Sequence, residues 1–248
     1  HWVIGSTIGV SVDSRDHVFV IHRASTIDGN TELNVLHEPA SAECCAPAPP
    51  VLEFDPEGNL VGWWGGPGDG YDWPSSNHGI TVDHMDNVWI GGNGPDDGHI
   101  LKFTRDGNFL LQLGRPGIGT GSNDPENFGR VAEVSIDLGG DEVFVADGYG
   151  NRRVAVLDIE TGALKRYWGA YGNRPDDAPV PPYRPEDPPA QQFRSPVHCA
   201  EISDDDFVYV CDRASNRIQV FERDGTFVRE AFVATETLGS GSAWDLAF

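Results

Sequence analysis

Two histidines stand at equivalent places in a chain that repeats itself. His78 lies five residues before Asp83, and His198 lies five residues before Ser203. The matching positions in the two other repeats hold Ile8 and Ala132, so the imidazoles alternate from repeat to repeat. Paired neutral imidazoles are a common half of a metal site. Three further residues bear chemistry and recur near the same strand ends: Arg23, Tyr149 in Asp147-Gly-Tyr149, and Arg213 in Asp212-Arg213. A guanidinium clamps a carboxylate through two parallel hydrogen bonds, and a phenol beside a metal and an arginine serves as a base. Two plainer readings stand beside these. The histidines could be hydrogen-bonded residues of a channel wall. Asp-Gly-Tyr could be a turn, with both arginines solvated.

The elements that must position these residues are short strands. A Val opens a similar apolar run four times, at Val18, Val88, Val143 and Val208. Each is preceded by a strand ending at Asp13, Asp83, Asp137 or Ser203, with gaps of 5, 5, 6 and 5. A third strand begins at Val51, Ile100, Val154 and Ile218, and a fourth at Leu60, Phe109, Leu164 and Phe227. Turns such as Asp55-Pro-Glu-Gly58, Asp106-Gly107 and Asp224-Gly225 join the last two. A recurring four-strand unit predicts an all-β, six-bladed-type β-propeller. Blades are expected at about 8–66, 78–114, 131–169 and 197–232, with a fifth beginning at 242–248, in a single domain. A sandwich or a β-helix does not require this unit. Closure of the ring is expected to need residues after Phe248, and an open fragment is expected to be fragile. Residues 24–50 are inserted in the first blade, and the Pro-rich 173–194 link is a loop held by packing or mobile.

First strands line the channel of a propeller, so His78 and His198 are expected to face each other across it. In a six-bladed ring, a third histidine in blade six would complete a three-His site with an open position. His17, His22, His37, His84 and His99 share no such placement and read as surface or loop residues.

The ordered segments Val18-Phe-Val-Ile-His-Arg23, His78-Gly-Ile, Asp147-Gly-Tyr-Gly-Asn-Arg152, Pro196-Val-His198 and Asp212-Arg-Ala-Ser-Asn-Arg-Ile-Gln-Val-Phe221 resemble the peptidyl-α-hydroxyglycine α-amidating lyase family. The resemblance is to a bacterial relative with NHL repeats, C-terminally incomplete, and runs through nearly the whole chain. It implies a six-bladed propeller that cleaves a peptidyl-α-hydroxyglycine to a peptide amide and glyoxylate. It implies zinc on His78 and His198, with Tyr149 as general base and Arg23 and Arg213 on the substrate carboxylate. It also implies a structural calcium near the backbone carbonyls of Val10 and Ile80. The chain departs from the animal pattern in three ways. The third His and an acidic calcium ligand are expected beyond Phe248. Phe128 and Gly150 stand near the places of a disulfide beside the tyrosine. Cys44-Cys45 sits in an insertion. Cys199 and Cys211 are expected to face each other across a hairpin, where they could bridge or remain free thiols near the metal, and are read as free or unassigned.

Acidic residues outnumber basic ones by 39 to 17, a net charge of −22, which argues against nucleic acid and anionic membranes as partners. The expected partner is a small-molecule or peptide substrate carrying a carboxylate; oligomeric state is unassigned. The resemblance places the protein as secreted or periplasmic. The competing reading is a non-catalytic NHL-repeat propeller that binds a protein or saccharide. A calcium-dependent propeller hydrolase would need carboxylate and Asn ligands where Ile8, His78, Ala132 and His198 stand.

Overall fold

The computed structural model describes residues 1–28, 45–117, 119–137 and 139–248. It contains a short β1 (Trp2–Val3), then β2 (Ser6–Val12) and β3 (Val18–Arg23), then β4 (Ala46–Pro47), β5 (Val51–Phe54) and β6 (Leu60–Trp64). The second blade is β7 (Asn77–Val82), β8 (Val88–Gly92), β9 (His99–Phe103) and β10 (Phe109–Gly114). The third is β11 (Glu133–Ile136), β12 (Glu142–Asp147), β13 (Arg153–Asp158) and β14 (Leu164–Trp168). The fourth is β15 (Val197–Ile202), β16 (Phe207–Asp212), β17 (Arg217–Glu222) and β18 (Phe227–Phe232). Each of the four sheets is antiparallel and ordered from its first strand to its last; the first blade is β2-β3-β5-β6. β1 and β4 pair in parallel outside the blades. First strands pack on one another in sequence, β2 on β7, β7 on β11 and β11 on β15. This is the expected propeller arrangement. Residues 242–248 run without strand pairing.

Alternation along each strand divides its side chains between two neighbours. Val143 and Val145 of β12, with Val134 of their own blade, pack toward Trp89 and Ile100 of the second blade. Phe144 and Ala146, between them, pack toward the fourth with Val208, Val210 and Phe221. A third apolar layer joins the first and second blades through Phe19, Ile21, Val88, Ile90 and Phe103. Burial of each such side chain contributes about 1.5–3 kcal/mol. The core is thus a set of layers between blades.

The inner hairpins close where the spacing places them. Asp13, Asp83, Asp137 and Ser203 donate their backbone N–H to His17, Asn87, Glu142 and Phe207. The outer turns close on Asp55, Thr104, Asp158 and Glu222, with left-handed Gly58, Gly107, Gly162 and Gly225.

Cys199 and Cys211, read from the sequence as free or unassigned, form a disulfide, with Cα atoms 4.8 Å apart. Both are fully buried on β15 and β16. That separation suits a bridge between paired strands. Cys45 is also disulfide-bonded, while Cys44 lies outside the described residues. The 173–194 link is held by packing. Phe193 is fully buried, Arg217 donates to the carbonyls of Ala190 and Gln192, and the Tyr183 hydroxyl donates to Thr235.

Candidate active site

The site begins with irregularities in the inner strands. The pairing of β7 with β8 shifts between His78 and Ile80, and that of β15 with β16 between Val197 and Ala200. A bulge rotates a side chain out of the alternation it would otherwise follow. Three of the four inner pairs are shifted in this way, at Ile8, His78 and His198, and two of the three shifts carry the histidines. Gly79 takes φ +75, which a side chain rarely adopts, and a Cβ there would sit tight against the Ala132 carbonyl. The β11–β12 pair, whose matching residue is Ala132, has no such shift.

The result is convergence. The ring centroids of His78 and His198 lie 5.5 Å apart. His78 Nδ1 lies 2.7 Å from the Ala132 carbonyl, and His198 Nδ1 lies 2.5 Å from the Trp244 carbonyl. A carbonyl only accepts, so both Nδ1 atoms carry the proton and both Nε2 atoms present lone pairs. Each Nε2 is 3.2 Å from the Tyr149 Oη. Burial lowers the pKa of both rings, that of His78 to about 4, so both are neutral near pH 7.

Arg213 Nη1 donates to the same Tyr149 Oη over 3.2 Å, and Nε donates to the Ser240 carbonyl. Its guanidinium lies 4.2 Å from the Trp244 ring centroid. Arg23 stands farther back: Nε donates to the Asn77 carbonyl and Nη2 to Asn93 Oδ1, each over 2.9 Å. Of the residues predicted from sequence, His78, His198, Tyr149 and Arg213 therefore touch; Arg23 flanks them.

Buried ion pairs hold the loops that carry the tyrosine and the arginine. Arg153 Nε meets Asp147 Oδ2 at 2.8 Å, two residues from Tyr149. Arg217 Nη2 meets Asp212 Oδ2 at 2.7 Å, beside Arg213. All four side chains are 0–1% exposed, and removing one member of such a pair costs about 3–5 kcal/mol. The two blades repeat one device: an Asp at the end of the second strand anchors an Arg at the start of the third. Gly150 donates its N–H to the Gly129 carbonyl, and a Cβ on Gly129 would collide with Asn151. That close approach fills the place where the resemblance implies a disulfide.

Sequence reasoning missed Arg130, Asn93 and Trp244. Arg130 lies 5.9 Å from the Tyr149 ring centroid, and its carbonyl accepts the Tyr149 N–H. It falls outside the repeat positions that flagged the histidines. His22 and His99, read as surface or loop residues, are instead buried. His22 contacts Gly5 N and the Pro49 carbonyl, and His99 the Asp72 carbonyl. Strand pairing draws both inward at strand ends. His37 lies outside the described residues.

Val10 and Ile80 line a second part of the channel, a cavity of about 600 Å³ shared with Glu133, Glu201 and Asp245. Burial raises the carboxyl pKa of Glu133 and Glu201, and the neighbouring acids add to it. The Ser135 hydroxyl donates to Glu201. A second acidic group, Asp13, His17 and Glu53, already has its cation, since Arg105 pairs with both carboxylates.

No family model matches the sequence. The chain is 25% identical over 237 residues to peptidyl-glycine alpha-amidating monooxygenase B of Xenopus laevis, covering 92% of this chain and 24% of that protein. It is 28% identical over 242 residues to peptidyl-alpha-hydroxyglycine alpha-amidating lyase 1 of Drosophila melanogaster, covering 90% and 39%. It is 30% identical over 210 residues to NHL repeat-containing protein 3 of Mus musculus, covering 81% and 49%. The chain thus spans about a quarter to a half of these relatives. A streptogramin B lyase structure superposes with a TM-score of 0.56 at 12% identity, over 94% of this chain and 56% of that one. A gluconolactonase from Xanthomonas campestris does so with 0.51 at 12% identity, over 90% and 60%. These structures share the fold. The chain is a β-propeller similar in sequence to proteins named as amidating lyases and as NHL repeat-containing proteins.

Proposed function

We propose that the channel site performs carbon–nitrogen lyase chemistry on α-hydroxyglycine-like substrates, giving an amide and glyoxylate. The observation that carries this reading is the meeting of His78, His198 and Arg213 at one atom, the Tyr149 Oη. One phenolic proton faces two imidazole lone pairs, so one Nε2 is left without a donor. A cation fits that deficit, and neutral imidazoles held through Nδ1 by carbonyls are in the form a metal requires. His78 and His198 would hold zinc with a further ligand, and bound zinc would acidify the substrate hydroxyl.

The chain's own residues supply the rest. Tyr149 Oη, once its own proton has passed to solvent, takes the proton from the α-hydroxyl. The carbon–oxygen double bond forms as the carbon–nitrogen bond breaks, and the departing nitrogen takes that proton back from Tyr149 to become the amide. Arg213, fixed by Ser240 and Trp244, stabilises the charge that develops beside Tyr149. Arg23 supports the substrate carboxylate. Deeper in the channel, calcium is proposed with Val10 and Ile80, where buried carboxyls of Glu133 and Glu201 need a proton or a cation. The Cys199–Cys211 disulfide supports a secreted or periplasmic setting.

The test is metal analysis of the full-length protein, with an assay of glyoxylate release from an α-hydroxyacylglycine. Zinc together with glyoxylate is expected. Zinc without glyoxylate would end the lyase reading and leave the metal site. Neither would favour a binding propeller, the reading that the mouse NHL relative supports.

A further inference from the structure

Three guanidinium groups surround Tyr149, and they are not equally committed. Arg23 spends Nε and Nη2 on Asn77 and Asn93, and Arg213 spends Nε and Nη1 on Ser240 and Tyr149. Arg130 spends only Nε, on the Asn93 carbonyl at 2.9 Å. Its Nη1 and Nη2 have no hydrogen bond to any described residue. None of the three arginines is in an ion pair among the described residues, although the chain has 39 acidic side chains. Three half-buried cations left without carboxylates at one phenol define a place for an external anion.

We propose that Arg130, rather than Arg23, forms the two-pronged clamp on the substrate carboxylate. The inference rests on the lyase reading of the same site. A carboxylate needs two parallel N–H donors for a fork, and only Arg130 keeps both terminal nitrogens free. Asn93 fixes its aim: the carbonyl holds Arg130 Nε while Oδ1 holds Arg23 Nη2. One residue thereby sets the spacing of two arginines. Arg130 also sits at a left-handed φ of +67, with its carbonyl on the Tyr149 N–H. Backbone and guanidinium thus join the clamp to the residue that takes the proton. A substrate bearing a carboxylate next to its hydroxyl-bearing carbon would be held at both groups. An uncharged analogue would lose the clamp.

The experiment compares wild type, Arg130→Met and Arg130→Lys in the full-length protein. Oxamate, a carboxylate joined to an amide, is titrated by calorimetry, and glyoxylate release is followed with an α-hydroxyacylglycine. Arg130→Met should weaken oxamate roughly tenfold to a hundredfold, as expected for loss of charged hydrogen bonds. Arg130→Lys keeps the charge without the fork and should fall between them. The loss in kcat/KM should lie in KM, with kcat within about threefold of wild type. Unchanged oxamate affinity in Arg130→Met, a loss confined to kcat, or no oxamate binding by wild type would each overturn the assignment. Glyoxylate release with Arg130-independent oxamate binding would remove the clamp and keep the lyase. Arg130-dependent oxamate binding without glyoxylate would keep the clamp and remove the lyase.

Discussion

At the scale of single residues, the site is a matter of which atoms lack partners. Tyr149 Oη meets two imidazole acceptors and one guanidinium donor, so it is the natural point of proton exchange. Tyr149→Phe removes that oxygen and leaves the histidines anchored by the Ala132 and Trp244 carbonyls. Glyoxylate release should fall roughly 10²–10⁴-fold, the range for loss of a positioned acid–base group. Zinc content should not change. Release within about tenfold of wild type would show that another group takes the proton. The histidines were legible because a repeat makes equal positions comparable, and Tyr149 and Arg213 were legible from segments resembling the amidating lyases. Arg130 was not. It precedes the first strand of its blade, in a left-handed conformation that its residue type does not announce.

At the scale of elements, most of the blade plan was readable and its departures were not. Alternation within runs such as Val143-Phe-Val-Ala marks a strand packed on both faces, and the four runs recur in register. Bulges at His78 and His198 left no such mark, because one extra residue in a pair shows only when both partners are known. The same limit hid the disulfide: hairpin spacing allowed Cys199 and Cys211 to meet without requiring a bond. Ties across strands are equally invisible. Arg166 of β14 forks onto Glu142 of β12 over two contacts of 2.6 Å and donates to the Arg223 carbonyl of the next blade. Hydrogen bonding from Arg166 pulls the Glu142 carboxyl down to about 2. A depressed carboxyl stabilises the fold above its unfolded value, near 4.5, and that contribution is lost as pH falls through about 2. Solvent at the open side of the pair limits the effect, so Glu142→Gln should cost about 1–2 kcal/mol at neutral pH. The gap in melting temperature between variant and wild type should close as pH is lowered toward about 2. A gap independent of pH would mean that packing, not charge, accounts for the loss.

At the scale of the whole molecule, two opposite fields act on the same ligand. The chain carries a net charge of −22, so its surface is acidic overall. The cations Arg23, Arg130 and Arg213 are grouped around Tyr149, with no ion pair to a carboxylate among the described residues. An approaching carboxylate meets repulsion first and attraction only near contact. Salt separates the two by distance, since screening acts beyond about 8–10 Å near physiological ionic strength and partly buried contacts feel it less. Raising salt from about 0.01 to 0.15 M should therefore speed association of a carboxylate such as oxamate, the reverse of ordinary electrostatic steering. Toward about 1 M, where screening reaches about 3 Å, the clamp itself should weaken and affinity should fall. Stopped-flow measurement of the association rate across that range decides the matter. A rate that only falls with salt would mean that the arginine cluster governs the field well outside the channel. The acidic surface would then have no part in how the ligand arrives.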